Sequence, residues 1–142
     1  MARLPGVVIN VSSEYSQAWN KGCLNDGLLN TSWFSAVGDA ANLGKAPYVE
    51  YVFPKAVTVK GVNIRANREY ASGYDVFEGI LTFSGPSGPL FSQVVALPQP
   101  DRDFNLTLPT AINGVTTLRF TLTKDESTEP GLAEIEVEGS AP

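Results

Sequence analysis

Glycine (13 residues) and proline (10 residues) are scattered along this chain instead of being gathered in one linker. They leave no room for a long helical period and suit many short strands joined by turns. The intervals have strand character. Val7–Val11 is apolar and β-branched. Tyr48–Phe53 is a strong strand signal, stopped by Pro54. Val57–Arg65 alternates with an irregularity that reads as a bulge near Gly61. Phe77–Phe83 and Leu90–Leu97 flank the turn Ser84-Gly85-Pro86-Ser87-Gly88-Pro89, so they form a hairpin. Phe104–Leu108 places Phe104, Leu106 and Leu108 on one face, and Val115–Leu122 turns Leu118, Phe120 and Leu122 inward. Leu132–Glu138 is the last strand. Residues 14–22 allow a turn of helix at most. About eight strands with turns between them predict an all-β sandwich or barrel. The 142 residues fill one domain, 1–142, and leave no room for a second.

Charge and side-chain chemistry exclude several functions. The net charge is −5 and no basic run is visible, which argues against nucleic acid as a partner. There is no histidine. That removes Ser-His-Asp and Cys-His catalysis and histidine-bound zinc. Cys23 is the single cysteine, so no internal disulfide forms. Oxygen-bound cations such as calcium stay open. No apolar stretch approaches the roughly 20 residues of a membrane-crossing helix, and Met1-Ala2-Arg3-Leu4-Pro5 lacks the long apolar run of a secretory leader.

Residues 12–47 break the strand pattern. A connection of this length is functional or disordered, and Tyr15, Trp19, Trp33 and Phe34 argue against disorder. At its centre, Asn25-Asp26-Gly27-Leu28-Leu29-Asn30-Thr31 sets a carboxylate, a tight turn and a hydroxyl close together. The motif reads either as part of a hard-cation site, which needs about six or more oxygens, or as an Asx turn capped by Thr31.

Asn25-Asp26-Gly27, then Thr31-Ser32-Trp33, then Tyr48-Val49-Glu50-Tyr51-Val52-Phe53, and finally Gly131-Leu132-Ala133-Glu134-Ile135-Glu136-Val137 resemble, in order, the signature of the discoidin family. This is the coagulation factor V/VIII C-type domain family, which includes the family 32 carbohydrate-binding modules. The resemblance covers almost the whole chain. It implies a discoidin-like jelly-roll β-sandwich with a structural calcium ion. The implied ligands are Asp26, Thr31, Glu134 and the backbone carbonyls of Cys23, Leu28 and Ala133. It also implies that Trp33 is a core residue beside the calcium turn.

In the family, ligands sit on loops at one end of the sandwich, and sugar binders use an Arg, an Asn or His, and an aromatic ring. The loop after Val57–Arg65 offers Asn67, Arg68, Tyr70 and Tyr74 as ligand-binding residues. The same loop also reads as a solvated turn with a tyrosine folded onto the sandwich. Ser13–Tyr15 with Ser35–Asn42 forms a second candidate. Asp101-Arg102-Asp103 forms a third, with the character of a plain charged turn. Missing histidine disfavours a galactose-type site. The expected function is a non-catalytic carbohydrate-binding module or lectin-like domain. Its partner is a glycan or other extracellular ligand, and its expected location is extracellular or cell-surface, within a larger protein. The alternative is a protein-interaction, adhesion or assembly module on the same fold. Leu28-Leu29 and Trp33-Phe34 have few cations nearby, which makes a membrane a minor partner. No carboxylate pair sits in a glycosidase motif.

Overall fold

The computed structural model describes residues 6–69 and 73–140. Tyr70 lies outside the described residues. The strands are β1 (Val8–Val11), β2 (Trp33–Phe34), β3 (Tyr48–Ala66), β4 (Val76–Gly85), β5 (Gly88–Ala96), β6 (Phe104–Asp125) and β7 (Gly131–Ser140). All pairings are antiparallel. The strand order is β2-β7-β3-β6-β4-β5, with β1 also on β3. The expected all-β class is observed, as is the β4–β5 hairpin, which turns on Pro86 and Ser87.

Among the described residues, seven strands stand where about eight were expected, and it is the strand boundaries that are corrected. Tyr48–Phe53 and Val57–Arg65 are one strand, and so are Phe104–Leu108 and Val115–Leu122. Pro54 does not end β3. It falls in the exposed stretch Pro54-Lys55-Ala56, where the β3–β6 register shifts between Val52 and Val57. A proline costs no ladder bond where the ladder is already interrupted. Pro109 lies in a second interruption, between the pairs Val59–Ile112 and Gly61–Thr107. The predicted bulge near Gly61 is present: pairing with β7 also shifts between Val59 and Gly61. A Cβ on Gly61 would stand 2.5 Å from the Leu106 carbonyl oxygen, so only glycine fits.

These interruptions bend β3 and β6 from one layer into the other. Tyr48–Val52 pairs with Thr117–Thr121 and, beyond that, with β4 and β5, while Gly61–Ala66 pairs with β7. The inward side chains of both layers form one core. Val49, Tyr51, Leu81, Phe83, Leu118 and Phe120 meet Val59, Val62, Ile64, Ile135 and Val137 there. The β3–β4 and β6–β7 connections emerge together at one end.

Residues 12–47 close that end without much regular structure. They contain three short 3-10 turns, Gln17–Trp19, Lys21–Asn25 and Ala41–Leu43, and the two residues of β2. Side chains do the fastening. The Trp33 indole N–H donates to the Ser13 carbonyl at 2.9 Å. Ser12 and Ser13 hydroxyls donate to the Asp39 carboxylate. Asp125, at the end of β6, accepts from the Ala41 and Asn42 amides, capping the third turn. Trp33 is fully buried, as expected, and Leu24, Phe34 and Ala40 are buried with it.

Candidate functional site

Two features occupy this end: a carboxylate turn and an aromatic hollow. The turn begins at Lys21–Asn25, whose first residues are capped by Asn20 Oδ1 accepting from the Gly22 amide at 2.7 Å. Asp26 follows, and Gly27 has a φ of 80°, a left-handed conformation that favours glycine. Asp26 Oδ1 accepts from the Leu28 amide at 2.8 Å, and Oδ2 accepts from the Thr31 hydroxyl at 2.5 Å. Glu134, 107 residues away on β7, accepts from the Gly27 amide at 2.6 Å. Asp26, Thr31 and Glu134 therefore converge, and the segments bearing the Cys23, Leu28 and Ala133 carbonyls frame them.

Glu134 is only 2% exposed, an unusual place for a carboxylate. Beneath it, the Tyr51 hydroxyl lies 3.0 Å from both the Leu24 and Ile135 carbonyls and bridges the turn to β7. Burial, and then the negative charge of Glu134 with a smaller part from Asp26, pushes the Tyr51 phenol well above its ordinary range. Burial and then Asp26 push the Cys23 thiol up as well, so it is no activated nucleophile. A buried carboxylate, Glu134, and an exposed one, Asp26, at the same Gly27 turn form a donor set that suits a hard cation. Among the described residues, no three Asp, Glu or Cys side chains gather, so such a site draws on carbonyls and Thr31.

Tyr51 gives a pH prediction. Its folded pKa is raised, so its contribution to stability is present below the unfolded value of about 10 and is lost as pH rises through the folded value. Denaturant melts from about pH 9 to about pH 11 should show stability falling by up to about 1.4 kcal/mol per pH unit from this group. Tyr51→Phe should flatten that slope. An unchanged slope would contradict the assignment.

The hollow is lined by Tyr15, Trp19, Phe34, Tyr74 and Glu129, encloses about 90 Å³ and is partly open to solvent. That is well below the roughly 300 to 1,000 Å³ of clefts that enclose a whole ligand, so the hollow is a shallow seat for part of one. Its rings meet edge to face in a chain. Tyr15 to Trp19 is 5.4 Å, Trp19 to Phe34 is 6.2 Å, and Phe34 to Tyr74 is 5.9 Å between centroids. Backbone bonds hold the chain together. The Tyr15 amide donates to the Phe34 carbonyl at 2.8 Å, and the Gly131 amide donates to the Tyr74 carbonyl at 3.2 Å. The Trp19 indole donates to Glu69 at 2.8 Å.

The residues expected from sequence divide. Tyr74 lines the hollow, and Tyr15, from the second candidate, joins it. Asn67 is buried and donates to Asp75 at 3.3 Å. Arg68 forms a two-pronged pair with Asp103, at 3.0 and 2.5 Å. Asp103 also accepts from the Ala66 amide, so the third candidate loop serves as a brace for the end of β3. Sequence reasoning left Trp19 undecided and did not single out Glu129. The aromatic density of residues 12–47 was the available signal. Its meeting with Tyr74 and Glu129 depends on the packing of the two connections.

Solved structures repeat this architecture. The F5/8 type C domain of a Bacteroides fragilis protein superposes with a TM-score of 0.75 at 20% identity, over 96% of this chain and 93% of that one. The fold is that of the discoidin domains. A second discoidin-fold relative, the lectin domain of lectinolysin complexed with Lewis B antigen, gives 0.78 at 15% identity, over 99% and 96%. A third, the family 32 module of C. perfringens NanJ in complex with galactose, gives 0.72 at 17%, over 92% of each chain. No family model and no curated protein matches the sequence.

Proposed function

We propose that this discoidin-fold domain is a non-catalytic carbohydrate-binding module that holds a glycan in the aromatic hollow. The four-ring hollow at the loop end is the observation that carries this reading. Aromatic faces pack on the apolar C–H faces of a pyranose, and tyrosine hydroxyls and carboxylates hydrogen-bond its hydroxyls. Solved lectin and carbohydrate-binding domains of the same fold support it. The site is extracellular-facing in this reading, as such modules are when they target a larger protein to glycans.

Calcium belongs to the same proposal. Asp26, Thr31, Glu134 and the carbonyls of Cys23, Leu28 and Ala133 would hold the ion. It would tie the turn to β7 and so fix the floor beside the hollow.

Screening against a glycan array, followed by titration of the best ligands, tests the binding claim. Trp19→Ala and Tyr74→Ala should each weaken binding about tenfold or more, in line with the loss of one ring contact. The melting curve should stay that of a folded domain. An array without any binder at millimolar ligand would sink the reading.

A further inference from the structure

We propose that the hollow selects a sugar bearing a protonated amine, a hexosamine unit without its N-acetyl group, over neutral and acidic sugars. This rests on the reading of the hollow as a glycan site. Among the described residues that line the hollow, Glu129 carries the one ionisable carboxylate, and none is Lys or Arg. Glu129 is also held in position. The Ser127 hydroxyl donates to one of its oxygens at 2.9 Å, and the Thr128 hydroxyl donates to the other. Ser127 has a φ of 71°, a left-handed backbone that is rare outside glycine and sets this short hydroxyl-rich turn. A carboxylate accepting two hydroxyl bonds keeps lone pairs for a further donor.

The rest of the wall favours the same sign of charge. Aromatic faces carry negative quadrupole density and attract cations, most strongly at Trp and Tyr. The Trp19 indole N–H, the donor best suited to an acceptor-rich ligand, is committed to Glu69. That contact brings a second carboxylate to the rim. Arg68 is the basic side chain of the neighbouring loop, and Asp103 engages it through two bonds. An ammonium in the hollow therefore meets a fixed carboxylate and aromatic faces, whereas the carboxylate of an acidic sugar meets repulsion. An N-acetylated sugar loses the charge and brings added bulk into a small hollow.

The test is calorimetric titration of the glucosamine tetramer and the N-acetylglucosamine tetramer into the wild type and Glu129→Gln. The wild type should bind the amine form about tenfold or more tightly than the acetylated form, as a charge-assisted bond predicts. Glu129→Gln should bind both alike and melt like the wild type. Equal binding of the two tetramers by the wild type, or no binding of either, overturns the proposal. A preference that survives in Glu129→Gln also overturns it, because general attraction to the acidic surface would then explain it. If neutral sugars on the array bind in a Trp19-dependent way while the amine preference is missing, selectivity alone fails and the glycan reading stands. If the array is empty as well, both fail.

Discussion

Melting the protein in millimolar calcium and again in excess chelator should give Tm values about 10 °C apart, with the calcium form higher. The size follows from linkage. An ion present at about 100 times its Kd adds about 2.7 kcal/mol to the folded state. A domain of this size gains roughly 3–5 °C per kcal/mol. The direction follows from the geometry. Glu134 is buried at the same turn that carries Asp26, and a cation between the turn and β7 would be attracted by both carboxylates. Glu134→Gln should abolish the calcium dependence, giving one Tm in both buffers. Identical wild-type melts with calcium and with chelator would end the calcium proposal and leave the Asp26–Thr31 contact as a simple turn cap.

Gly131→Ala should be the most damaging small substitution near the site. A Cβ there would stand 2.1 Å from the Trp33 carbonyl oxygen and 2.4 Å from Phe34 Cδ1. The Phe34–Gly131 pair is half of the two-residue ladder that attaches β2 to β7. Relief requires β2 to move away, and β2 carries Trp33 in the core and Phe34 in the hollow. We expect a loss of about 3 kcal/mol, at the upper end of overpacking costs. Glycan affinity should fall with it even at temperatures where the variant is folded. A variant with wild-type melting and binding would show that β2 yields without consequence.

The sequence made the class of the fold legible, and the carboxylate turn with it. Alternation marks Leu118, Phe120 and Leu122 as inward, and all three are buried. Asp26-Gly27 and Ala133-Glu134 stand out as short patterns, and the structure brings Asp26 and Glu134 to the same Gly27 turn. Strand continuity was illegible, because Pro54 and Pro109 look like stops until the register of the partner strand is known. β2 was illegible for a different reason: two residues carry no periodicity, and tertiary pairing alone makes them a strand. The hollow shows the same limit. Tyr15, Trp19 and Phe34 come from one connection, Tyr74 from another and Glu129 from a third. Their convergence is a property of how the connections pack. Arg68 illustrates the converse case. An arginine in a polar loop looks available, yet Asp103, 35 residues on, engages it.

Val8 and Ser140 share one pole of the sandwich. Val8 pairs with Val52 at the start of β1, and Ser140 pairs with Thr58 at the end of β7, so both flank the Pro54–Ala56 bend of β3. The hollow lies beyond Ala66, about 25 Å further along that strand at roughly 3.3 Å per residue. Val8 and Ser140 therefore lie at the opposite end of the sandwich from the aromatic hollow.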